Sequence, residues 1–249
     1  MRIAHLRQHL LDPGARPRHL GHLPREWSTQ SEMSIDDTDE LVIPYTRAIM
    51  SFLLLMPSPR HVAMIGLGGG SVAKYCYRYL PDAEITAIEI SPDVIGLRNE
   101  FAIPKDDARF SVLLGDGAEW VAETDSRPDV LIVDGYDADG LPAQLCSQPF
   151  YDNCYAALAD NGIMVVNIWK GYPHYDEYMS RINNGFDGIK VIMDAGDDLN
   201  HIVLAVKNSA LPPSPSSIRH HANLLCESHP LNFQAKANRL IRALPNGDD

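Results

Sequence analysis

Residues 61–74 read HVAMIGLGGGSVAK, and this stretch decides how the rest of the chain is interpreted. Its first part is an apolar run typical of a buried strand, and glycines at 66, 68, 69 and 70 precede a segment that favours helix. Glycines at a strand-to-helix turn let a nucleotide-like ligand approach backbone N–H groups at the helix N-terminus. The third glycine of a complete G-x-G-x-x-G motif would fall on Ser71, so a tight turn without a ligand is the alternative interpretation.

Downstream of this turn the chain alternates between strand and helix patterns. Strands are predicted at 62–65, 84–90, 110–114, 130–133 and 163–168, and helices at 71–80, 92–101, 117–124, 148–158 and 175–186. Segments 189–193 and 202–206 predict a closing antiparallel pair. The alternation predicts an α/β fold: a Rossmann-like, doubly wound, mostly parallel sheet with helices on both faces and an antiparallel closing strand.

Two flanking segments complete the predicted organisation. Residues 1–56 are expected to hold a loose arm to about residue 25, a short strand or hairpin at 26–36, and a helix from Pro44 to about residue 56. Residues 57–207 form the predicted Rossmann-like domain. Residues 208–249 are predicted to be a linker, to about residue 217, followed by a C-terminal helical tail that Pro230 would interrupt.

Composition excludes several classes of partner. The formal net charge of −12 argues against nucleic acid, since phosphate binding needs a basic surface. No apolar run approaches the ~20 residues that span a bilayer, so no membrane partner is expected. The four cysteines form no C-x-x-C pair, so we predict neither a metal site nor a disulfide framework, and a cytoplasmic location.

Acidic side chains follow the second, third and fourth predicted strands. These are Glu89, Asp116 and Asp134, with Asp137 three residues further on. Ligands of such sheets bind at the carboxyl ends of the strands, where these acids would converge with the glycine turn. The convergence is a stronger signal for a ligand site than any of the motifs alone.

Each acid has a chemical and a purely structural interpretation. Glu89 lies 23 residues after Gly66, near the ~20-residue spacing at which an acid binds ribose hydroxyls, or it is a solvated acid at the end of a strand. Asp116, between two glycines, could accept a hydrogen bond from an exocyclic amine or form an Asx turn. Asp134 and Asp137 could hold a cation and take a proton, or form a turn.

At these positions the sequence resembles the spermidine synthase family, the polyamine aminopropyltransferases. The likeness extends over roughly residues 57–169, with a weaker likeness back to residue 30. Four segments carry it: IGLGGGSVAK (65–74), AIEISPDVI (87–95), LLGDGAEWV (113–121) and VLIVDGYDADGLPAQLCSQPFY (130–151).

The resemblance implies a class I S-adenosylmethionine-dependent methyltransferase fold and a role for each acid. Glu89 would bind ribose, Asp116 with Gly117 would lie at the adenine, Asp134 would be the base for the attacking amine, and Asp137 would hold that amine. S-adenosylmethionine or its decarboxylated form is implied as co-substrate. The implied nucleoside site consists of Gly66, Gly68, Glu89, Asp116, Gly117 and Asp134.

Three features depart from the family pattern. The glycine turn of the family reads G-G-G-D-G-G, and its aspartate contacts amino groups of donor and acceptor, but Gly69 stands at that position here. A Tyr-His pair before the turn is matched only loosely by Tyr45 and Thr46. The D-[ST]-[ST]-D-P segment is Asp134-Gly-Tyr-Asp-Ala in this chain. The nucleoside half of the site is therefore closer to the family than the acceptor half.

The resemblance predicts a transferase that moves an aminopropyl group to a small cationic amine and that forms a homodimer. Such a reaction requires the nucleophilic nitrogen to lose a proton. A carboxylate can bind the ammonium group, orient it and accept that proton. Acidic walls would also attract a sulfonium and a polycationic acceptor. The alternatives are a methyltransferase with an unknown acceptor and a non-catalytic homologue that binds nucleoside.

Overall fold

A computed structural model of the chain describes residues 3–7, 29–137, 140–197, 199–208 and 213–244. The strands are β1 (Ile3–Arg7), β2 (Thr29–Ser34), β3 (His61–Ile65), β4 (Glu84–Glu89), β5 (Phe110–Leu114), β6 (Val130–Val133), β7 (Ile163–Trp169), β8 (Lys190–Asp194) and β9 (Asn200–Val206). The α-helices are α1 (Pro44–Ile49), α2 (Ser71–Tyr79), α3 (Pro92–Gly96), α4 (Gly117–Glu123), α5 (Gln148–Ala157), α6 (Tyr175–Gly185), α7 (Pro215–Ser228) and α8 (Phe233–Ala243). Short 3-10 helices cover Met50–Leu54 and Ala143–Cys146.

Seven strands form one sheet in the order β5-β4-β3-β6-β7-β9-β8. Pairs among the first five strands are parallel, and β9 runs antiparallel to both β7 and β8. The predicted Rossmann-like, doubly wound sheet of the class I methyltransferase type, with an antiparallel closing strand, is therefore confirmed. The carboxyl ends of β3 to β8 lie along one edge, with β3 and its glycine turn between β4 and β6.

The sheet separates two hydrophobic clusters because side chains of buried strands alternate between its faces. In β3, Val62 and Met64 join the cluster that contains residues of α1, α2, α7 and α8, whereas Ala63 and Ile65 join the one with residues of α4, α5 and α6. Both faces are covered by helices, so every residue of the strand after His61 is buried. Within the described ranges, no helix is long and apolar enough to cross a membrane.

The helix after β4 is shorter than predicted. Ser91 caps it as expected, since its hydroxyl accepts a hydrogen bond from the Val94 N–H, but α3 ends at Gly96 instead of continuing to residue 101. The chain then turns so that Phe101 and Ile103 are buried. The burial of these two side chains against the glycine turn explains why the helix does not continue.

The N-terminal segment differs from the prediction in two places. Residues 3–7, expected in a loose arm, form β1, which pairs antiparallel with β2. The strand predicted at 26–36 is confirmed as β2, although its partner lies more than twenty residues away in sequence. The helix at Pro44 ends as an α-helix at Ile49 and continues as a 3-10 helix to Leu54 instead of reaching residue 56.

The C-terminal segment is more helical than predicted. α7 begins at Pro215, inside the expected linker, because the Ser214 hydroxyl accepts a hydrogen bond from the Ser217 N–H at 3.1 Å and caps the helix. The interruption at Pro230 is confirmed, since it separates α7 from α8. The domain boundaries at 57 and 208 stay predictions, and one hydrophobic cluster joins residues on both sides of each of them.

Candidate active site

The glycine turn between β3 and α2 packs against the end of β6. Gly66, Gly68 and Gly70 adopt φ angles of +91°, +51° and +70°, which favour glycine over other residues. A Cβ atom on Gly66 would lie 2.5 Å from the carbonyl oxygen of Asp134. The turn therefore requires glycine both for its conformation and for the close approach of two strand ends.

Glu89 connects the end of β4 to the glycine turn. The side chain is buried, and its Oε2 accepts a hydrogen bond from the Leu67 N–H at 2.8 Å while Oε1 accepts one from the Ser91 N–H at 2.9 Å. Each carboxylate oxygen retains a second lone pair that can accept from a hydroxyl group. Glu89 is thus held in position by the backbone of the turn that it faces, with acceptor capacity for a ligand.

Asp116 and Gly117 begin α4 at the end of β5. The Asp116 carboxylate accepts a hydrogen bond from the Ala118 N–H at 2.7 Å and caps the helix, so the structural interpretation of this residue applies. A Cβ atom on Gly117 would collide with the Ile65 side chain, which explains the glycine. The capping bond occupies Oδ1 and fixes the side chain at this edge of the sheet.

Sequence reasoning missed an apolar surface beside these two acids. Ile90, directly after β4, is 60% exposed, and Leu114, which pairs with Glu89 at the end of β5, is 62% exposed. Two large apolar side chains exposed beside polar strand ends suit one face of a flat ring. The available signal was an isoleucine directly after Glu89 and a leucine two residues before Asp116.

Asp134 lies at the end of β6, between the glycine turn and β7. Its Oδ1 accepts a hydrogen bond from the Asn167 amide at 2.9 Å, and the Tyr45 hydroxyl donates a second bond to the carboxylate. Although part of the residue is exposed, burial of its carboxyl group raises the pKa of Asp134 to about 6, against the lowering effect of these two bonds. Burial and the negative charge of Asp134 together raise the pKa of Tyr45 well above its usual value.

Asn167 is the second residue that sequence reasoning missed. It is 4% exposed, and its Oδ1 is a buried atom without a hydrogen-bond partner among the described residues. The backbone around it is held by Tyr136, whose hydroxyl donates to the Asn167 carbonyl oxygen at 2.9 Å. A single amide within the apolar run IMVVNIW was the available signal, because a polar side chain inside a buried strand needs a partner.

Asp137 lies apart from Asp134 in a different environment. It is exposed, its backbone N–H donates to the Gly140 carbonyl oxygen at 2.9 Å, and its side chain lines an open cavity of about 510 Å³. The turn that was the alternative interpretation of this segment is therefore present in the backbone. The assignment of Asp137 to amine binding stays a prediction.

Gly69 is enclosed by residues of two other segments. Its N–H donates to the Ser31 hydroxyl at 2.8 Å, and a Cβ atom on Gly69 would lie 2.8 Å from both Cβ of Ser31 and the Phe101 ring. Ser31 belongs to β2, so the N-terminal strand pair contacts the glycine turn directly. Ser31 and Phe101 fill the space into which an acidic side chain at position 69 would extend.

Three of the acids, the glycine turn and Asn167 form a row along one edge of the sheet. From β5 to β7 the row contains Asp116, Glu89, Gly66, Asp134 and Asn167, in the order of the strands. Neighbouring strands lie ~4.8 Å apart, so the row from β5 to β6 extends about 14 Å. Such a row can hold an elongated ligand with hydroxyl groups, and its negative charge favours a cationic centre near Asp134. No group of three or more His, Cys, Asp or Glu side chains that could hold a metal ion occurs in the described parts of the chain.

Comparisons with known proteins indicate the family and support the fold. A family model described as the spermine/spermidine synthase domain matches residues 42–202. The chain is 36% identical over 220 residues to a polyamine aminopropyltransferase of Chromobacterium violaceum and 34% identical over 221 residues to one of Neisseria meningitidis serogroup A; each alignment covers 88% of this chain and 84% of the relative. The crystal structure of a probable spermidine synthase from Corynebacterium glutamicum superposes with a TM-score of 0.66 at 18% identity, covering 89% of this chain and 86% of the other.

Proposed function

The chain belongs to the spermine/spermidine synthase family, and from that premise we propose that it transfers an aminopropyl group from decarboxylated S-adenosylmethionine to the nitrogen of a small cationic amine. The relatives that share a third of its sequence over most of their length are named polyamine aminopropyltransferases, which are transferases. The match covers most of this chain, including every residue of the row along the sheet edge.

The nucleoside half of the row would hold the adenosyl group. Ribose hydroxyls would donate to Glu89, whose geometry is already fixed by two backbone bonds. The adenine would lie on the exposed side chains of Ile90 and Leu114, with Asp116 accepting from its exocyclic amine. The backbone of the turn at Gly66 and Gly68, which lacks side chains, would let the sulfonium end pass towards Asp134.

The environment of Asp134 is the single observation that carries the proposed chemistry. The acceptor nitrogen attacks the carbon next to the sulfonium, a C–N bond forms, the C–S bond breaks, and its electron pair neutralises the sulfur. The nitrogen must release a proton, which Asp134 takes. A base works best when its pKa is near the working pH, and burial raises the pKa of this carboxyl to about 6.

Two neighbours would orient this base. Asn167 and Tyr45 both donate to the Asp134 carboxylate, so its remaining lone pairs are directed away from them. The buried Oδ1 of Asn167, which has no hydrogen-bond partner in the described parts of the chain, adds an acceptor beside the same carboxylate. Asp137, on the exposed side, would contribute charge for the ammonium form of the acceptor before it reaches Asp134.

The net charge of −12 supports a cationic amine as acceptor rather than nucleic acid. We also propose a homodimer and a cytoplasmic location, as expected from the resemblance and the composition. Sedimentation of the purified protein would test the former, and fractionation of cells that express it would test the latter.

The test of the proposed function compares the two donors. Thermal unfolding of the purified protein would be measured with S-adenosylmethionine and with its decarboxylated form, because a ligand that binds the native state raises the unfolding temperature. We expect stronger protection by the decarboxylated form, and mass spectrometry of a mixture with a short diamine should detect the aminopropylated amine and the thioether nucleoside. Absence of that product with every diamine and triamine tried would contradict the proposal.

A second candidate function, methyl transfer from S-adenosylmethionine, is favoured by one observation. Gly69 replaces the aspartate that the family uses to contact amino groups, and Ser31 and Phe101 occupy the adjoining space. An aspartate at position 69 would repel the carboxylate of S-adenosylmethionine. Without it, the site excludes this donor less strongly. Protection by S-adenosylmethionine alone, with transfer of a labelled methyl group to an amine, would favour this candidate over the first.

A further inference from the structure

β8 is the last strand of the seven-stranded sheet, and no strand among the described residues pairs with its outer side. On its inner side the Ala195 N–H, directly after the strand, donates to the Asn200 carbonyl oxygen at 3.0 Å. Backbone groups of successive residues point to alternate sides, so every second residue before Ala195 faces outwards. The outward-facing residues are Lys190, Ile192 and Asp194. An open strand edge of this kind is a template for a strand of another chain.

The side chains of the three outward-facing residues share one face of β8. Val191 and Met193, between them, are buried on the opposite face in the cluster that contains residues of α8. Ile192, in contrast, is 41% exposed, with a lysine two residues before it and an exposed aspartate two residues after it. The open edge therefore has an apolar centre and opposite charges at its two ends.

Both charged groups can accept a further partner without losing their contacts within the chain. The Asp194 side chain is 67% exposed although it contacts Lys170, and the hydrogen bond from Lys170 lowers the pKa of Asp194, so it is charged at neutral pH. Lys190 donates to the carbonyl oxygens of Phe186 and Gly188 at 2.7 and 3.1 Å. These bonds use two of the three N–H donors of its ammonium group.

The sequence of the strand is complementary to itself in one antiparallel register. When two copies of β8 pair with Ile192 opposite Ile192, Lys190 of each copy lies opposite Asp194 of the other. Side chains directly opposite each other in an antiparallel pair are close neighbours, and opposite charges there stabilise the pair. A shift by two residues would place a charge opposite Ile192, and a shift by four would place like charges opposite each other.

We propose that two copies of this chain associate through β8, so that their sheets continue into each other across a two-fold axis at Ile192. The inference rests on the homodimer of the proposed function, to which it assigns a surface. The same patch serves both copies, as a closed two-fold dimer requires. Outward-facing residues lie opposite outward-facing residues in this register, so each opposed pair can exchange both of its backbone N–H···O bonds.

The test uses two charge reversals, separately and mixed. Lys190→Asp places a carboxylate opposite Asp194 of the other copy, and Asp194→Lys places an ammonium group opposite Lys190. Sedimentation of each variant should show a dimer dissociation constant about tenfold or more above that of the wild-type protein. In an equimolar mixture the carboxylates of one variant lie opposite the ammonium groups of the other, and association should return to within about threefold of wild type.

Recovery in the mixture separates the interface from effects within each chain. Each chain keeps its own substitution there, so altered contacts to Lys170 or Phe186 cannot restore association. Thermal unfolding of each variant checks that it folds. Ile192→Asp provides an independent change, since it places two carboxylates at the axis and leaves Lys190 and Asp194 in place. Leu224→Asp, at a position of α7 that is 49% exposed, is the matched control and should leave association unchanged.

The outcomes distinguish this inference from the proposals on which it rests. A dimer that persists in Lys190→Asp and in Ile192→Asp uses another surface, which would overturn only the assignment to β8. Equal weakening by Ile192→Asp and Leu224→Asp would overturn it too. A wild-type protein that is monomeric up to about 100 μM would contradict the homodimer as well, and the two charges would then protect the edge from pairing. Aminopropyl transfer is measured separately, with the two donors.

Discussion

The nucleoside half and the acceptor half of the site hold their carboxylates in different ways. Glu89 and Asp116 accept hydrogen bonds from backbone N–H groups: Glu89 from Ser91 and from Leu67 in the glycine turn, and Asp116 from Ala118. Asp134 accepts its bonds from the side chains of Asn167 and Tyr45, which are 33 and 89 residues away in sequence.

This difference separates two functions of an acid. A carboxylate that accepts backbone N–H bonds has partners that only a proline substitution would remove, which suits a residue that only binds. The side-chain partners of Asp134 only partly offset the effect of burial, which raises its pKa to about 6, and this suits a residue that exchanges a proton. The five predictions below test this distinction, beginning with the largest effect on activity.

Asp134→Asn should give the largest loss of activity, because the variant lacks the base. We expect kcat to fall about a thousandfold, with donor binding changed less than about threefold. In the wild-type protein kcat/KM should decrease as the pH falls below about 6, as Asp134 becomes protonated, and the variant should lose this dependence. Steady-state kinetics between pH 5 and 9 measure both. A residual rate with the wild-type pH profile would show that another group is the base.

The same variant should be more stable than the wild-type protein at neutral pH. Because the folded protein holds the pKa of Asp134 at about 6, above the ~3.9 of an unfolded aspartate, it binds this proton more tightly than the unfolded chain. The contribution of Asp134 to the free energy of unfolding therefore decreases as the pH rises from about 4 to 6. At pH 8 the free energy of unfolding of Asp134→Asn, measured with denaturant, should exceed that of the wild-type protein by up to about 2 kcal/mol. This difference should disappear near pH 4.

Gly66→Ala should disturb both the nucleoside half and the acceptor half of the site, because Gly66 lies between them. The positive φ angle and the 2.5 Å approach to the Asp134 carbonyl oxygen leave no room for a methyl group. Denaturant unfolding should show a loss of about 3 kcal/mol, and turnover should fall with it.

Gly115→Ala is the matched control for this change. A Cβ atom on Gly115 would meet nothing within 4 Å, although the residue lies beside Asp116. We expect a change in unfolding free energy within about 0.5 kcal/mol. Equal effects of the two substitutions would contradict the packing of the turn against β6.

Glu89→Gln should weaken donor binding without moving the acid limb of the pH profile. The amide removes a charge from the ribose contact and turns an NH2 group towards the N–H of Leu67 or of Ser91. We expect the Kd of the donor, measured by calorimetry, to rise about tenfold. Glu84→Gln, at the exposed opposite end of β4, removes the same charge and should leave the Kd unchanged. A shifted acid limb in Glu89→Gln would remove the distinction between the two halves.

Asn167→Ala should have the smallest effect and the most specific one. The Asn167 bond lowers the pKa of Asp134, so its loss should raise that pKa and move the acid limb of kcat/KM to higher pH. Activity at pH 7 should fall severalfold and recover at higher pH. Tyr45→Phe removes the other donor and should shift the limb in the same direction. A loss of activity that is the same at every pH would assign these residues a purely structural role.

Local patterns were sufficient to predict most of the fold. Strands β5 and β6 have the predicted bounds, and Glu89 and Asp116 lie at the strand ends where the alternation placed them. α3 was predicted too long, because the signal that ends it is the burial of Phe101 and Ile103 under a turn thirty residues earlier.

The acceptor half was less predictable because its contacts join distant segments. Nothing near Asp134 in sequence indicates that Asn167 and Tyr45 donate to it, and nothing near Gly69 indicates Ser31. The cavity at Asp137 is formed between a loop and the first turn of α6, so its existence depends on tertiary packing. The spacing of residues in sequence predicts acids at the ends of consecutive strands. It does not predict which distant side chains contact Asp134 and change its pKa.

The enclosure of Gly69 restricts the order in which mutations could restore an acid there. An aspartate at 69 places its Cβ atom 2.8 Å from the Phe101 ring and from Ser31 Cβ, so as a first step it forces these neighbours or the turn itself to move. A smaller residue at position 101 would have to come first, and it would leave a void beneath the turn until the aspartate followed. Positions 31, 69 and 101 are therefore coupled by packing, and a substitution at one of them restricts the residues that the other two can accept.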